Sequence, residues 1–191
     1  MTMLKFITVF SFVLLASIAH SQSVEDFSLI NATTGKRITL ATYPTCAGLI
    51  IIFTSNECAY DEYYRDRIKR IAASHPTDIP MLLVNSGVEP EESVDNMVKK
   101  ANALGLNMPY LADKEQVLMK QLGASRTPQA FLLKNSNGKF NVVYKGALDD
   151  NPQVPADVRH AYLQDAIDIM LSNQNIETPE VRPVGCVIRK K

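Results

Sequence analysis

Residues 49–53, Leu-Ile-Ile-Ile-Phe, are the feature that most constrains how this chain can fold. Such a continuous β-branched and aromatic run predicts a strand that other elements cover on both faces. The chain turns polar directly afterwards, and Tyr60, Tyr64 and Ile68 then recur at helical spacing. A buried strand that leads straight into a helix is the repeating unit of α/β proteins, so we expect an α/β domain.

The rest of the chain continues this alternation. Strands are predicted at residues 27–40 (an N-terminal edge hairpin), 49–53, 81–84, 130–133 and 142–144. Helices are predicted at residues 60–71, 94–104, 117–122 and 158–170. Asp113 with Gln116 resembles a capping box ahead of the third helix. A turn signal, Asn-Ser-Asn-Gly, joins the last two strands into an antiparallel hairpin. We therefore expect a central mixed sheet with helices on both faces.

The first 21 residues differ in character from the rest. Lys5 is their only charge, residues 6–19 are almost entirely apolar, and residues 19–21 offer small side chains to a signal peptidase. This pattern predicts a signal peptide over residues 1–21 and one exported domain, periplasmic or secreted, over residues 22–191. The apolar run is shorter than the roughly 20 residues of a transmembrane helix. A membrane would be a partner only if the leader were retained.

The composition indicates an ordinary globular domain, with 46% hydrophobic residues and a formal net charge of zero at pH 7. Apart from the C-terminal residues 189–191 the basic side chains are scattered, so we expect no nucleic-acid partner. His75 and His160 lack the spacing of metal ligands, and no glycine-rich phosphate loop occurs. We therefore expect neither a metal nor a cofactor.

The domain has three cysteines, Cys46, Cys58 and Cys186. An odd number leaves at least one thiol unpaired within a monomer. One disulfide with one free thiol, or three free thiols, are both compatible with the sequence. Cys46 is expected to pack at the entrance of a strand, with a disulfide as the alternative. Cys186 follows the last helix and is either a partner of Cys58 or a tail thiol packed against the sheet.

Cys58 lies at the junction between a buried strand and a helix. If Ser55 is the N-cap, Cys58 occupies position N3 and its sulfur faces unpaired backbone amides at the positive end of the helix dipole. This placement lowers the pKa of a thiol, and the Ser55 hydroxyl would donate to the resulting thiolate. Glu57, Asp61 and Glu62 act in the opposite direction because like charges disfavour a thiolate. The same position also suits an inert, buried cysteine.

Two motifs together resemble the thioredoxin-like superfamily. They are the strand–loop–helix that contains Cys58 and the dipeptide Thr127-Pro128 ahead of a strand. More narrowly, the sequence is similar to exported redoxins of the alkyl hydroperoxide reductase / thiol-specific antioxidant group. One subgroup has Cys-Asn-x-Cys-Pro-Tyr where residues 55–60 are Ser-Asn-Glu-Cys-Ala-Tyr, and residues 109–111 and 185–189 also look like that subgroup. The resemblance implies a thioredoxin-like fold with a cis Thr127–Pro128 bond beside Cys58.

The chain departs from this pattern at Ser55, which replaces the first cysteine of Cys-x-x-Cys. Disulfide exchange needs a second thiol, and the candidates are Cys186, Cys46 or a thiol of a partner. Ser-x-x-Cys also matches half of the peroxiredoxin pattern, in which a hydroxyl precedes the reactive cysteine by three residues. The proline that this pattern carries four residues earlier is Ile51 here, and Arg126 is the candidate for its arginine near the thiolate.

The resemblance implies two functions. The first is a thiol-dependent oxidoreductase in which Cys58 attacks a protein disulfide, a small-molecule disulfide or a peroxide, with an external reductant completing the cycle. Ser55, Arg126, Thr127 and Pro128 would shape its site. Disulfides are favoured over peroxides because Thr127-Pro128 is the stronger match. The second function is a non-catalytic module that binds a protein or peptide in the same groove and has lost the dithiol.

Overall fold

The computed structural model of the chain describes residues 22–191. The predicted signal peptide, residues 1–21, lies outside the described residues. Among the helices that are described, none has the length and apolar character needed to cross a membrane.

An eight-stranded mixed sheet forms the centre of the described part of the chain. Its strands are β1 Leu29–Asn31, β2 Arg37–Ile38, β3 Gly48–Phe53, β4 Met81–Asn85, β5 Tyr110–Ala112, β7 Gln129–Ser136, β8 Lys139–Gly146 and β9 Glu180–Val181. They follow the order β2-β1-β5-β4-β3-β7-β8-β9, and β3 pairs parallel with β4 and antiparallel with β7. Two further strands, β6 Arg126–Thr127 and β10 Cys186–Val187, form a separate antiparallel pair.

Within residues 22–191, four α-helices cover the sheet on both faces. They are α1 Ala59–Ser74, α2 Val94–Leu104, α3 Val117–Leu122 and α4 Tyr162–Leu171. The side chains of β3 alternate between the two layers, as strand geometry requires. Leu49, Ile51 and Phe53 belong to the buried cluster that includes α3, whereas Ile50 and Ile52 belong to the cluster that includes α1, α2 and α4. All five are 0% exposed, which confirms the prediction of a strand covered on both faces.

The structure confirms the predicted α/β class and corrects one local prediction. β1 and β2 form the expected antiparallel hairpin at one edge of the sheet. The predicted capping box at α3 is half right. Asp113 accepts hydrogen bonds from three amides of α3. The Gln116 side chain does not return to the backbone of Asp113 and donates instead to the carbonyl oxygens of Ser86 and Arg189. The strands β5, β6, β9 and β10 were not predicted, because two or three residues are too few to show a period.

Candidate functional site

Cys58 is the N-cap of α1, which begins at Ala59, so the predicted position N3 is wrong. Its side chain is 4% exposed and is joined by a disulfide to Cys186, which lies 128 residues further along the chain. The two Cα atoms are 5.9 Å apart. The Cys58 Sγ lies 3.2 Å from the carbonyl oxygen of Thr127. The sulfur therefore contacts a carbonyl group and a second sulfur, and not the unpaired amides that the sequence suggested.

Cys46 is the remaining cysteine, and it is free and buried. Its thiol donates to the carbonyl oxygen of Tyr43, which is 3.3 Å away. Burial raises the pKa of the Cys46 thiol and so disfavours its reactive form. Cys46 thus packs at the entrance to β3, and the alternative in which it forms a disulfide does not apply.

The peptide bond between Thr127 and Pro128 is cis, and it lies next to the disulfide. The Gln129 side chain fixes the approach to this bond, because its Oε1 atom accepts hydrogen bonds from the amides of Ser125, at 2.9 Å, and Arg126, at 3.3 Å. The strand β6 is consequently held with its other edge available for pairing.

The C-terminal tail, residues 185–191, occupies that edge of β6. Cys186 pairs with Thr127 and Val187 pairs with Arg126 in antiparallel register. The Arg126 guanidinium donates to the carbonyl oxygen of Gly185 at 2.7 Å. A Cβ atom added to Gly185 would lie 2.1 Å from the carbonyl oxygen of Thr127. Only glycine allows so close an approach of the tail to the proline turn.

Ser55 does not contact the sulfur of Cys58, contrary to the prediction. Its hydroxyl donates to the buried carboxylate of Glu92 at 2.5 Å, and the same carboxylate accepts from the Asn56 amide at 2.8 Å and from the Asn85 side chain at 2.6 Å. Burial opposes the ionisation of Glu92, yet these hydrogen bonds hold its pKa below the ordinary value. Ser55 therefore anchors the loop ahead of α1.

Asp61 is a buried carboxyl group in the first turn of α1, with 6% of its surface exposed. Its Oδ2 atom accepts from the Ser55 amide at 3.1 Å, and its Oδ1 atom has no hydrogen-bond partner among the described residues. Burial raises the pKa of Asp61 to about 7, although the hydroxyls of Thr54 and Thr127 and the charge of Lys100 act in the opposite direction. This carboxyl group is therefore poised to titrate near neutral pH.

Sequence reasoning treated Asp61 only as a charge that opposes a thiolate, and so missed its burial. The signal was present in the spacing of α1. Asp61 lies three residues before Tyr64 and seven before Ile68, on the stripe that packs against the sheet. A carboxylate on an otherwise apolar stripe indicates a buried ionisable group, and such groups cluster at functional sites.

The disulfide opens onto a cleft of about 340 Å³. Its walls come from the loop before α1, the segment between β4 and α2, the proline turn and the tail; they include Ser55, Glu57, Glu89, Glu91, Thr127 and Arg189. Within the described residues, no group of three or more His, Cys, Asp or Glu side chains is arranged to hold a metal ion. Both sulfur atoms of the disulfide belong to residues that line the cleft.

The geometry of this chain can be compared with that of solved structures. A hypothetical protein from Sinorhizobium meliloti 1021 is 30% identical, with a TM-score of 0.80, and the match covers 92% of this chain and 97% of that one. The chain belongs to the same family as this protein. An uncharacterized conserved protein from Geobacillus kaustophilus is 27% identical, also with a TM-score of 0.80, and the match covers 90% of this chain and 92% of that one.

The chain has a thioredoxin-like fold, which confirms the predicted fold class. The exposed lipoprotein thioredoxin of Streptococcus pneumoniae TIGR4 is 22% identical, with a TM-score of 0.57, over 75% of this chain and 99% of that one. At that identity the similarity shows the fold alone. No protein-family model matches the sequence, and comparison with curated proteins finds no match.

Proposed function

We propose that this protein is an exported thiol-disulfide oxidoreductase whose redox pair is Cys58 and Cys186. The observation that carries the proposal is their disulfide, which lies at the N-terminus of α1, beside the cis Thr127–Pro128 bond and at a cleft. Cys186 supplies the second thiol that is missing at Ser55. The similarity to an exposed lipoprotein thioredoxin supports this class of reaction and a site of action outside the cytoplasm.

Disulfides are favoured over peroxides as substrates. In the peroxiredoxin pattern a hydroxyl and an arginine stabilise the reactive sulfur, and the candidates here were Ser55 and Arg126. The Ser55 hydroxyl donates to Glu92, and the Arg126 guanidinium donates to the carbonyl oxygen of Gly185. The Ser55 hydroxyl therefore has a fixed partner away from the sulfur, and Arg126 holds the tail in the oxidised state. The lack of the Ser55 hydroxyl at the reactive sulfur supports disulfide exchange.

The reaction starts from the reduced protein. The Cys58 thiolate attacks one sulfur of a substrate disulfide, so that a mixed disulfide forms and the second substrate sulfur leaves as a thiolate. Cys186 then attacks the Cys58 Sγ, and the first substrate sulfur leaves with the electron pair of the broken bond. The substrate disulfide is thereby reduced to two thiols, and the protein reaches the oxidised state seen in the structure. An external dithiol reduces Cys58 and Cys186 again.

Asp61 suits the role of proton acceptor for Cys58. The Thr127 carbonyl oxygen lies 3.2 Å from the Cys58 Sγ, and the Thr127 hydroxyl lowers the pKa of the Asp61 carboxyl, so both groups are close to the same residue. A base works best when its pKa lies near the working pH, and the pKa of Asp61 is about 7. The dipole of α1, which spans 16 residues, further favours a thiolate at its N-cap.

Single-turnover reactions of cysteine variants test the proposal. The protein is reduced, freed of reductant and mixed with oxidised glutathione, and the products are identified by mass spectrometry. We expect the wild-type protein to consume one disulfide per chain and to form the Cys58–Cys186 bond. Cys186→Ser is expected to stop as a mixed disulfide at Cys58. Cys58→Ser is expected to form no intramolecular disulfide and to react only slowly, through a mixed disulfide at Cys186.

Cys46→Ala is the matched control, and it should behave as the wild-type protein does because Cys46 lies outside the cleft. Turnover by Cys58→Ser at the wild-type rate would contradict the proposal. If reduced Cys58 does not react with any disulfide, the second candidate, a non-catalytic protein- or peptide-binding module, takes its place.

A further inference from the structure

The tail forms one wall of the cleft, and it is held along β6 in the way an extended peptide would be bound. Two of its residues pair with β6, and the amide of Ile188 donates to the carbonyl oxygen of Ser125 at 3.0 Å. The Gln116 side chain then donates to the carbonyl oxygen of Arg189 at 2.6 Å and accepts from the amide of Lys191 at 2.8 Å. Most of these contacts use backbone atoms of the tail, and any extended segment can supply them.

The side chains of the tail alternate between the protein and solvent, as in a strand. Val187 is 67% exposed, whereas Ile188 is 8% exposed and belongs to the apolar cluster of the α3 face. Arg189 then reaches Glu89, with its Nε atom 3.3 Å from the carboxylate. The site thus accepts a cysteine, a residue of any kind, an aliphatic side chain and a basic one, in that order.

The negative charge of the cleft walls agrees with a basic residue at the fourth position of this order. Glu57, Glu89 and Glu91 line the cleft. Lys100 and Lys114 donate to backbone carbonyl oxygens of the cleft walls, at Ser55, Asn56 and Gly87. Arg126 of β6 donates to the carbonyl oxygen of Gly185, a backbone acceptor that any extended segment would also offer. Among the residues that line the described cleft, Arg189 of the tail is the basic one. Without the tail, an acidic surface would face an incoming segment.

We propose that the tail occupies the site of the substrate, and that the substrates are polypeptides with an extended Cys-x-aliphatic-basic segment. This inference rests on the proposed function and adds the substrate class to it. When the Cys58–Cys186 bond is reduced, residues 185–191 leave β6 and a substrate segment pairs there instead, with its own cysteine at Cys58. The returning tail then displaces the substrate as Cys186 resolves the mixed disulfide.

Peptides with an activated cysteine test the inference in the full-length Cys186→Ser protein. The probe is the heptapeptide Gly-Cys-Val-Ile-Arg-Lys-Lys, with its cysteine joined to 2-nitro-5-thiobenzoate. The Cys58 thiolate attacks the peptide sulfur, the bond to thiobenzoate breaks, and the coloured thiolate leaves with the electron pair. Two matched peptides carry Asp in place of Ile or Glu in place of Arg. Each rate is divided by the rate of the same peptide with free glutathione, which removes intrinsic reactivity.

We expect the first peptide to react roughly tenfold faster than the peptide with Asp in place of Ile, because Ile188 is buried. It should react about threefold faster than the peptide with Glu in place of Arg, because the Arg189–Glu89 pair is largely exposed. The variant Gly185→Ala/Cys186→Ser should react faster still with the first peptide. Its own tail is pushed from Thr127 and no longer competes at high effective concentration. Equal normalised rates for all three peptides in this double variant would overturn the inference and leave the proposed function intact. If neither the peptides nor oxidised glutathione react with Cys58, both fail.

Discussion

Replacing Cys58 by Ser is expected to lower the free energy of unfolding by about 4–5 kcal/mol under oxidising conditions. The disulfide joins residues 128 positions apart, and a cross-link over such a loop restricts the unfolded chain by roughly this amount. Cys186→Ser should lower the free energy of unfolding by the same amount, because it removes the same disulfide. The double variant should cost no more than either single one, since coupled sites are not additive. Urea unfolding curves of the four proteins provide the measurement.

The reductant supplies the control for this prediction. Dithiothreitol should lower the stability of the wild-type protein to that of Cys58→Ser and should leave Cys58→Ser unchanged. Cys46→Ala should keep the full response to the reductant, because Cys46 is free. Two outcomes would contradict this prediction. In one, the losses of unfolding free energy of the two single variants add up in the double variant. In the other, the stability of the wild-type protein does not depend on the reductant.

Replacing Asp61 by Asn is expected to remove a pH dependence of stability between pH 4 and pH 7. The pKa of this carboxyl group is about 7 in the folded protein and 3.8 as a free group. Between these values the unfolded chain releases a proton that the folded chain keeps, so stability falls as the pH rises. The slope is about 1.4 kcal/mol per pH unit, or about 4 kcal/mol in total. Asn cannot ionise, so the variant should be the more stable protein above pH 7.

Unfolding free energies of both proteins, measured from pH 4 to pH 8, test this prediction. Asp66→Asn is the matched control, because Asp66 lies on the same helix with its side chain 73% exposed. The difference in unfolding free energy between Asp66→Asn and the wild-type protein should not vary with pH in this way. The groups that face Asp61 are Lys100 and Tyr110, and both are retained in these variants. Parallel pH curves for wild-type and Asp61→Asn would mean that the carboxyl group is ionised throughout.

Much of the fold could be predicted from the sequence because its signals are local. The apolar run at residues 49–53 and the helical spacing that follows it specify β3 and α1 through burial and side-chain period alone. Gly105 ends α2 with a positive φ of 57°, and Asn137 and Gly138 form the turn between β7 and β8 with positive φ at both residues. In each case the preference for the observed backbone conformation comes from a few neighbouring residues.

The functional site could be predicted from the sequence less well than the fold, because its contacts join segments that are distant along the chain. Cys58, Cys186 and Thr127-Pro128 were identified as candidates, but the sequence left the pairing of the cysteines open. The Ser55 hydroxyl was expected at the sulfur and instead binds Glu92, which is 37 residues away. A hydroxyl has several acceptors within reach, and only the packing of the surrounding elements selects one of them.

The sequence by itself determined the order of the four helices and of strands β1–β4, β7 and β8, the α/β class and the position of Cys58 between a strand and a helix. Tertiary structure alone decided that Cys186 returns to Cys58, that Asp61 is buried and that the tail lies along β6. The physical reason is the separation along the chain over which each effect acts. Periodicity and backbone preference act over a few residues, whereas desolvation and disulfide geometry depend on groups that only the folded chain brings together.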